Sequence, residues 1–131
     1  MLRRPAISTG RGIALGALVC GAAQGQGACP SKYVTMVVPF AAGGPIDVLG
    51  RMLAPALGEA LGQPVVIENM SGGGGMPGSH RVSQAPPDGY QFVLGSIGTH
   101  TLSPLLSKNP LYNPVSDFTP VILVAEIPLV L

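Results

Sequence analysis

Charge is scarce in this sequence: 10% of its 131 residues are Asp, Glu, Lys or Arg, against 47% hydrophobic. Disordered chains combine low hydrophobicity with high charge, so this composition excludes one. The few basic residues are scattered and the net charge is only +1, which argues against a nucleic-acid binder. No apolar run reaches the ~20 residues that a membrane-spanning helix needs. Catalytic signatures are equally thin. His80 and His100 are the only histidines. They are not at ligand spacing, and without a cysteine or carboxylate cluster they make no metal site. There is no G-x-S-x-G elbow of a serine hydrolase, and no Gly-rich loop runs into GK[ST], so a P-loop is excluded. What the chain does have is 19 Gly and 14 Pro. The glycines follow no three-residue period, so this is not collagen. They read as turns and loops of a folded α/β or β domain.

The N-terminus stands apart. Arg3, Arg4 and Arg11 make a basic opening, followed by the uncharged run Gly12 to Ala23 and small residues to Ala28. That order is the build of a secretory signal peptide. Residues 1–29 are therefore read as an export signal, cleaved near 25–28. The remainder has four basic and six acidic residues, a net charge of −2, and at most Cys29, so no internal disulfide.

Beyond the leader, Tyr33 to Phe40 reads as a buried strand and Ala41 to Pro45 as a tight turn. Asp47 is read as the cap of a helix carrying Leu49, Met52, Leu53, Ala56, Leu57, Ala60 and Leu61. Pro55 is expected to kink this helix, and Gly62 to end it. Val65 to Met70 is a second strand, Ser71 to Gly78 a Gly-rich loop, and Ser79 to Ala85 a short helix. Tyr90 to Ser96 is a third strand, Ile97 to Thr101 a loop, and Leu102 to Ser107 a short helix. Pro110 to Pro120 is irregular, and Val121 to Leu131 is strand-like. Strand, Gly loop and helix recur three times, which predicts a parallel sheet. In such sheets ligands bind outside the carboxyl ends of the strands, so the three loops should converge on one site.

Each loop precedes a helix N-terminus, where free N–H groups and the helix dipole favour an anion. The loops contain no Lys or Arg, so the expected site binds a small anion through backbone amides, helped by Ser71, Ser96, Thr99 and Thr101. Asp47 could act as a base but is read as a cap. His100 could donate to a ligand, whereas His80 reads as a solvated helix residue. Phe40 is either core or a wall of the crevice. Gly73 to Gly78 matches GxGxxG, but no carboxylate follows at the next strand end and Pro77 sits awkwardly in that turn, which disfavours a dinucleotide.

Several stretches together, in order, carry a family resemblance. They are Val37-Val38-Pro39-Phe40-Ala41-Ala42-Gly43-Gly44-Pro45-Ile46-Asp47, Leu61 to Asn69, Gly72 to Gly78, Ala85 to Tyr90, Gly98-Thr99-His100, and Pro114 to Val121. With them the chain resembles the N-terminal part of the Bug family, extracytoplasmic receptors of tripartite tricarboxylate transporters. Ile46, Met70, Pro77 and Asn113 depart from the family's usual residues. The resemblance implies an α/β periplasmic binding protein fold of type II-like build. Residues 30–131 would form part of the first domain, with a mainly parallel sheet, truncated at the interdomain crossover. It also implies a periplasmic, non-enzymatic protein without a cofactor. Its partners would be a small carboxylate and the membrane subunits of the transporter. The implied ligand-binding residues are Phe40, Ala41, Ala42, Gly43, Gly44, Asp47, Ser71, Gly74, Gly75, Met76, Ser96, Gly98, Thr99 and His100. A receptor lacking its second domain could not clamp a ligand, so a truncated, non-functional copy is part of this expectation. The competing readings are a Rossmann-like nucleotide-binding enzyme domain and a stand-alone sensor or interaction module.

Overall fold

The computed structural model describes residues 30–126, so the export signal expected at 1–29 lies outside the described residues. Three parallel strands form one sheet in the order β2-β1-β3, with β1 at Val34–Val38, β2 at Val65–Asn69 and β3 at Gln91–Val93. The central strand, VTMVV, is apolar on both faces, as a strand covered from both sides must be. Met36, Val37 and Val38 are fully buried. Helix α1, Pro45–Leu61, packs on β1 and β2, whereas α2, Met76–Ser83, packs on β1 and β3. Side chains alternate along a strand. Met36 and Val38 therefore share the face covered by Ile46, Leu53 and Leu57 of α1. Val37 and Pro39 point the other way, and Pro39 meets Gly78 of α2.

The apolar stripe of α1 is narrower than the sequence suggests. Met52 and Leu61 are exposed, and the buried line runs through Gly50 instead. A Cβ on Gly50 would lie 3.2 Å from the Met36 sulfur and 3.3 Å from Leu94 Cδ2, so glycine lets helix and sheet close together. The helix continues through Pro55 and stops at Gly62, whose φ of 67° suits a left-handed cap.

Four expectations need correction. First, α1 begins at Pro45 with Gly44 as its cap, because proline at the first helical position needs no hydrogen-bond acceptor for an N–H it lacks. Second, α2 begins at Met76, earlier than expected. Pro77 lies in its first turn, where proline is well suited rather than awkward. Third, Gly98-Thr99-His100 is not a loop: Gly98–Leu102 forms a π-helical turn running into helix α3, Ser103–Leu106. Fourth, residues 121–126 are not a strand. Val121, Ile122 and Leu123 are 71–87% exposed, and no strand among the described residues supplies the ladder that would hold them extended.

Candidate functional site

The strand order fixes where a crevice opens. From β1 the chain passes to β2 on one side, then crosses to β3 on the other side of β1. The connections leaving β1 and β3 therefore diverge, and such a switch point is where open α/β sheets bind ligands.

The three Gly-rich segments do meet there. Met70 donates its N–H to the Val38 carbonyl (2.9 Å), which keeps the second loop beside the first. Gly75 is the contact point of all three: a Cβ on it would collide with Thr99 Cγ2 and lie 3.1 Å from the Pro39 carbonyl oxygen. Its φ is 82°, so both space and conformation require glycine. Ser103 donates to the Gly74 carbonyl (3.0 Å), tying the third helix to the second loop. Ala41, Ala42, Gly43 and Ser71 to Gly74 are exposed, Phe40, Gly44, Met76, Ser96, Gly98 and His100 are half-buried, and Gly75 is buried.

Backbone donors remain available at this edge. Gly44 donates to Ala41, and Val48 donates to Gly44 (2.9 Å) as the first bond of α1. Pro45 has no N–H. The N–H groups of Ala41, Ala42, Ile46 and Asp47 find no partner among the described residues. The same holds for Gly73 and Gly74 and, at the π turn, for Ile97, Gly98 and Thr99.

The structure gives Asp47 a different part from the helix cap expected of it. It is the third residue of α1, 1% exposed, and its carboxylate reaches back out of the helix. Oδ2 accepts from Gly43 N–H (2.7 Å) and from Arg51 Nε (2.8 Å), and Oδ1 accepts from Asn69 Nδ2 (2.8 Å). Asn69 Nδ2 also donates to the Phe40 carbonyl (3.2 Å), and Arg51 Nη2 donates to Asn69 Oδ1 (3.3 Å). The Arg51 hydrogen bond, then those from Gly43 and Asn69, hold the Asp47 carboxyl well below the usual carboxylate range. It is thus ionised, paired and committed. Its role is to fix the first loop between β1, β2 and α1, with Arg51 as its counter-ion. The sequence reading passed over Asn69 and Arg51. The i,i+4 spacing of Asp47 and Arg51 was the available signal for one of them.

Thr99 is likewise internal. Fully buried, its Oγ1 accepts from Ser96 N–H (2.9 Å) and lies 2.8 Å from His100 Nδ1. What it can offer a ligand is its backbone N–H. The His100 ring packs edge-on to Phe118 (4.8 Å between centroids), and burial pushes its pKa below the usual value. His80, read as solvated, instead has a buried Nδ1 with no partner, as does the neighbouring Ser79 Oγ. Among the described residues no three His, Cys, Asp or Glu side chains gather into a metal site.

Comparison with known proteins places the chain in a family. A model of the tripartite tricarboxylate transporter family receptor matches residues 49–131. A protein encoded in the TAR-I ttuE-ttuC' intergenic region of Agrobacterium vitis is 45% identical over 107 residues, 82% of this chain and 31% of its own length. BugT of Bordetella pertussis is 40% identical over 104 residues, 78% of this chain and 32% of its own. Among solved structures, MatC of Rhodopseudomonas palustris with bound malate aligns with a TM-score of 0.68 at 46% identity, over 70% of this chain and 31% of that one. An R. palustris protein with adipate aligns equally well, 0.68 at 44% identity, over 71% of this chain and 31% of its own. The periplasmic binding protein BugD gives 0.63 at 43% identity, over 70% and 30%. This chain thus spans about a third of the length of the relatives it matches. Its α/β sheet is that of part of a periplasmic binding protein, and it belongs to the tripartite tricarboxylate transporter family of receptors, which are binding proteins rather than enzymes.

Proposed function

We propose that this chain supplies one side of the ligand cleft in a receptor for a small carboxylate. The ligand would be held by backbone N–H groups of three segments: Ala41 and Ala42 with the first turn of α1, Gly73 and Gly74, and Ile97 to Thr99. The observation that carries this reading is their meeting at Gly75 beside the β1/β3 switch point, with unpartnered donors on each. Amide dipoles are a fitting means of holding an anion here. Among the described residues the one charged side chain buried at this edge, Asp47, is an anion itself and is already neutralised by Arg51. Malate and adipate, the ligands of two solved relatives, are the first candidates.

In this reading residues 1–29 direct export to the periplasm and are removed, and membrane subunits of a tripartite transporter accept the ligand. Mass spectrometry of the periplasmic fraction should find an N-terminus between residues 26 and 30; a full-length chain retained in the cytoplasm would contradict export. Calorimetric titration of the chain with malate and adipate tests the binding itself.

A further inference from the structure

We propose that Tyr112 is a positioning residue of the carboxylate site, holding the third segment by satisfying one carbonyl that the helix cannot. The inference rests on the binding role given to Ile97, Gly98 and Thr99 above.

In the π turn the Ser103 N–H donates to the Gly98 carbonyl, five residues back. In that register the Thr99 carbonyl should receive the N–H of residue 104. Residue 104 is proline and has none. The α-helical alternative, the Ser103 N–H, is already committed to Gly98. A buried carbonyl without a donor is costly, so Thr99 needs a partner from outside the helix. Tyr112 provides it: its phenol O–H donates to the Thr99 carbonyl oxygen. Tyr112 is 4% exposed, the one buried side chain in the irregular run 107–126. Its ring is held edge-on by Phe118 (5.4 Å) and lies 6.1 Å from the His100 ring. A side chain thirteen residues beyond Thr99 thus reaches back to complete the turn. With Oγ1 already bound to Ser96, Thr99 becomes fixed at both its side chain and its carbonyl. The N–H groups at 97–99 then keep one direction, and π turns are frequent at functional sites.

The test uses the full chain in four forms: wild type, Tyr112→Phe, Pro104→Ala and the double variant. Tyr112→Phe keeps the ring and removes only the donor; Pro104→Ala returns an N–H to residue 104. The readouts are affinity for malate and adipate by calorimetry, and amide hydrogen exchange across residues 96–102. Tyr112→Phe should bind the tighter probe about tenfold more weakly and exchange about tenfold faster at 97–100. The double variant should regain most of both losses, because the new N–H replaces the phenol. A ring that served only as packing would not be rescued in this way. Tyr112→Phe behaving as wild type in both readouts, or a double variant no better than Tyr112→Phe, overturns the proposal. If wild type binds neither probe, the receptor reading fails, and the exchange comparison alone then decides the role of Tyr112. If Tyr112→Phe does not fold, a folded double variant supports the proposal and an unfolded one overturns it.

Discussion

The Asn69 carboxamide at the end of β2 donates to the Asp47 carboxylate in the first turn of α1 at 2.8 Å, and to the Phe40 carbonyl at 3.2 Å. One side chain thus ties the end of β2 to two positions that are 22 and 29 residues away from it. Replacing Asn69 by Leu keeps the volume and removes both donated bonds. We expect a loss of about 5 °C in thermal midpoint, and weaker carboxylate binding as the first loop loosens. Asn69→Asp, which sets a second carboxylate against Asp47, should be worse than Asn69→Leu at neutral pH and closer to it in acid. Thermal unfolding at two pH values measures this.

The paired carboxylate gives a pH dependence. The Asp47 pKa is lowered on folding, so the unfolded chain takes up its proton first as pH falls. The stabilisation from this group is complete above the ordinary value of 3.8 and is lost as pH falls beneath it. Asp47→Asn should be less stable than wild type at neutral pH, with a flatter stability profile below about pH 4. Acid-unfolding curves of the two proteins should therefore converge towards low pH.

His100 behaves with the same sign for a different reason. Burial disfavours its imidazolium, so folding lowers its pKa from 6.5. Stability should fall as pH drops from 6.5 towards that lower value, since the unfolded chain is protonated first. Nuclear magnetic resonance titration of the imidazole should place its midpoint below 6.5 in the folded protein.

Two glycines of positive φ should respond very differently to alanine. At Gly62, φ 67° and with open space around it, Gly→Ala should cost only about 1 kcal/mol of stability. At Gly75 the methyl group also meets Thr99 and Pro39, and the same change should cost about 3 kcal/mol. Gly75→Ala should abolish carboxylate binding under conditions where Gly62→Ala retains it, as denaturant unfolding and titration on the same samples would show.

The elements legible in the sequence were those set by local pattern. Val34 to Val38 alternates into a two-faced core, and Gly62 stops α1 where it was expected. The segments whose state depends on distant partners were read less well. Ile97 to Thr101 contains Gly and polar residues and looks like a loop, yet Gly98–Leu102 is helical, and one of its carbonyls, that of Thr99, accepts from the distant Tyr112. Val121 to Ala125 is apolar and largely β-branched, but a strand needs a neighbour that local pattern cannot supply. The site divides similarly. The glycines of the three segments were visible, while the clamp beneath them was not. Asp47 resembled a cap because its distance in sequence from Asn69 hid the bond between them. Thr99 and His100 looked like ligand groups, although their polar side-chain atoms near the site bond to each other.

The central claim is that an open row of backbone amides at the β1/β3 edge binds a small carboxylate. Isothermal titration of the chain with malate, adipate, inorganic phosphate and NAD tests it most directly. Saturable binding of at least one dicarboxylate, abolished by Gly75→Ala, and no binding of NAD are the expected results. Binding of NAD or phosphate with neither carboxylate bound would contradict it.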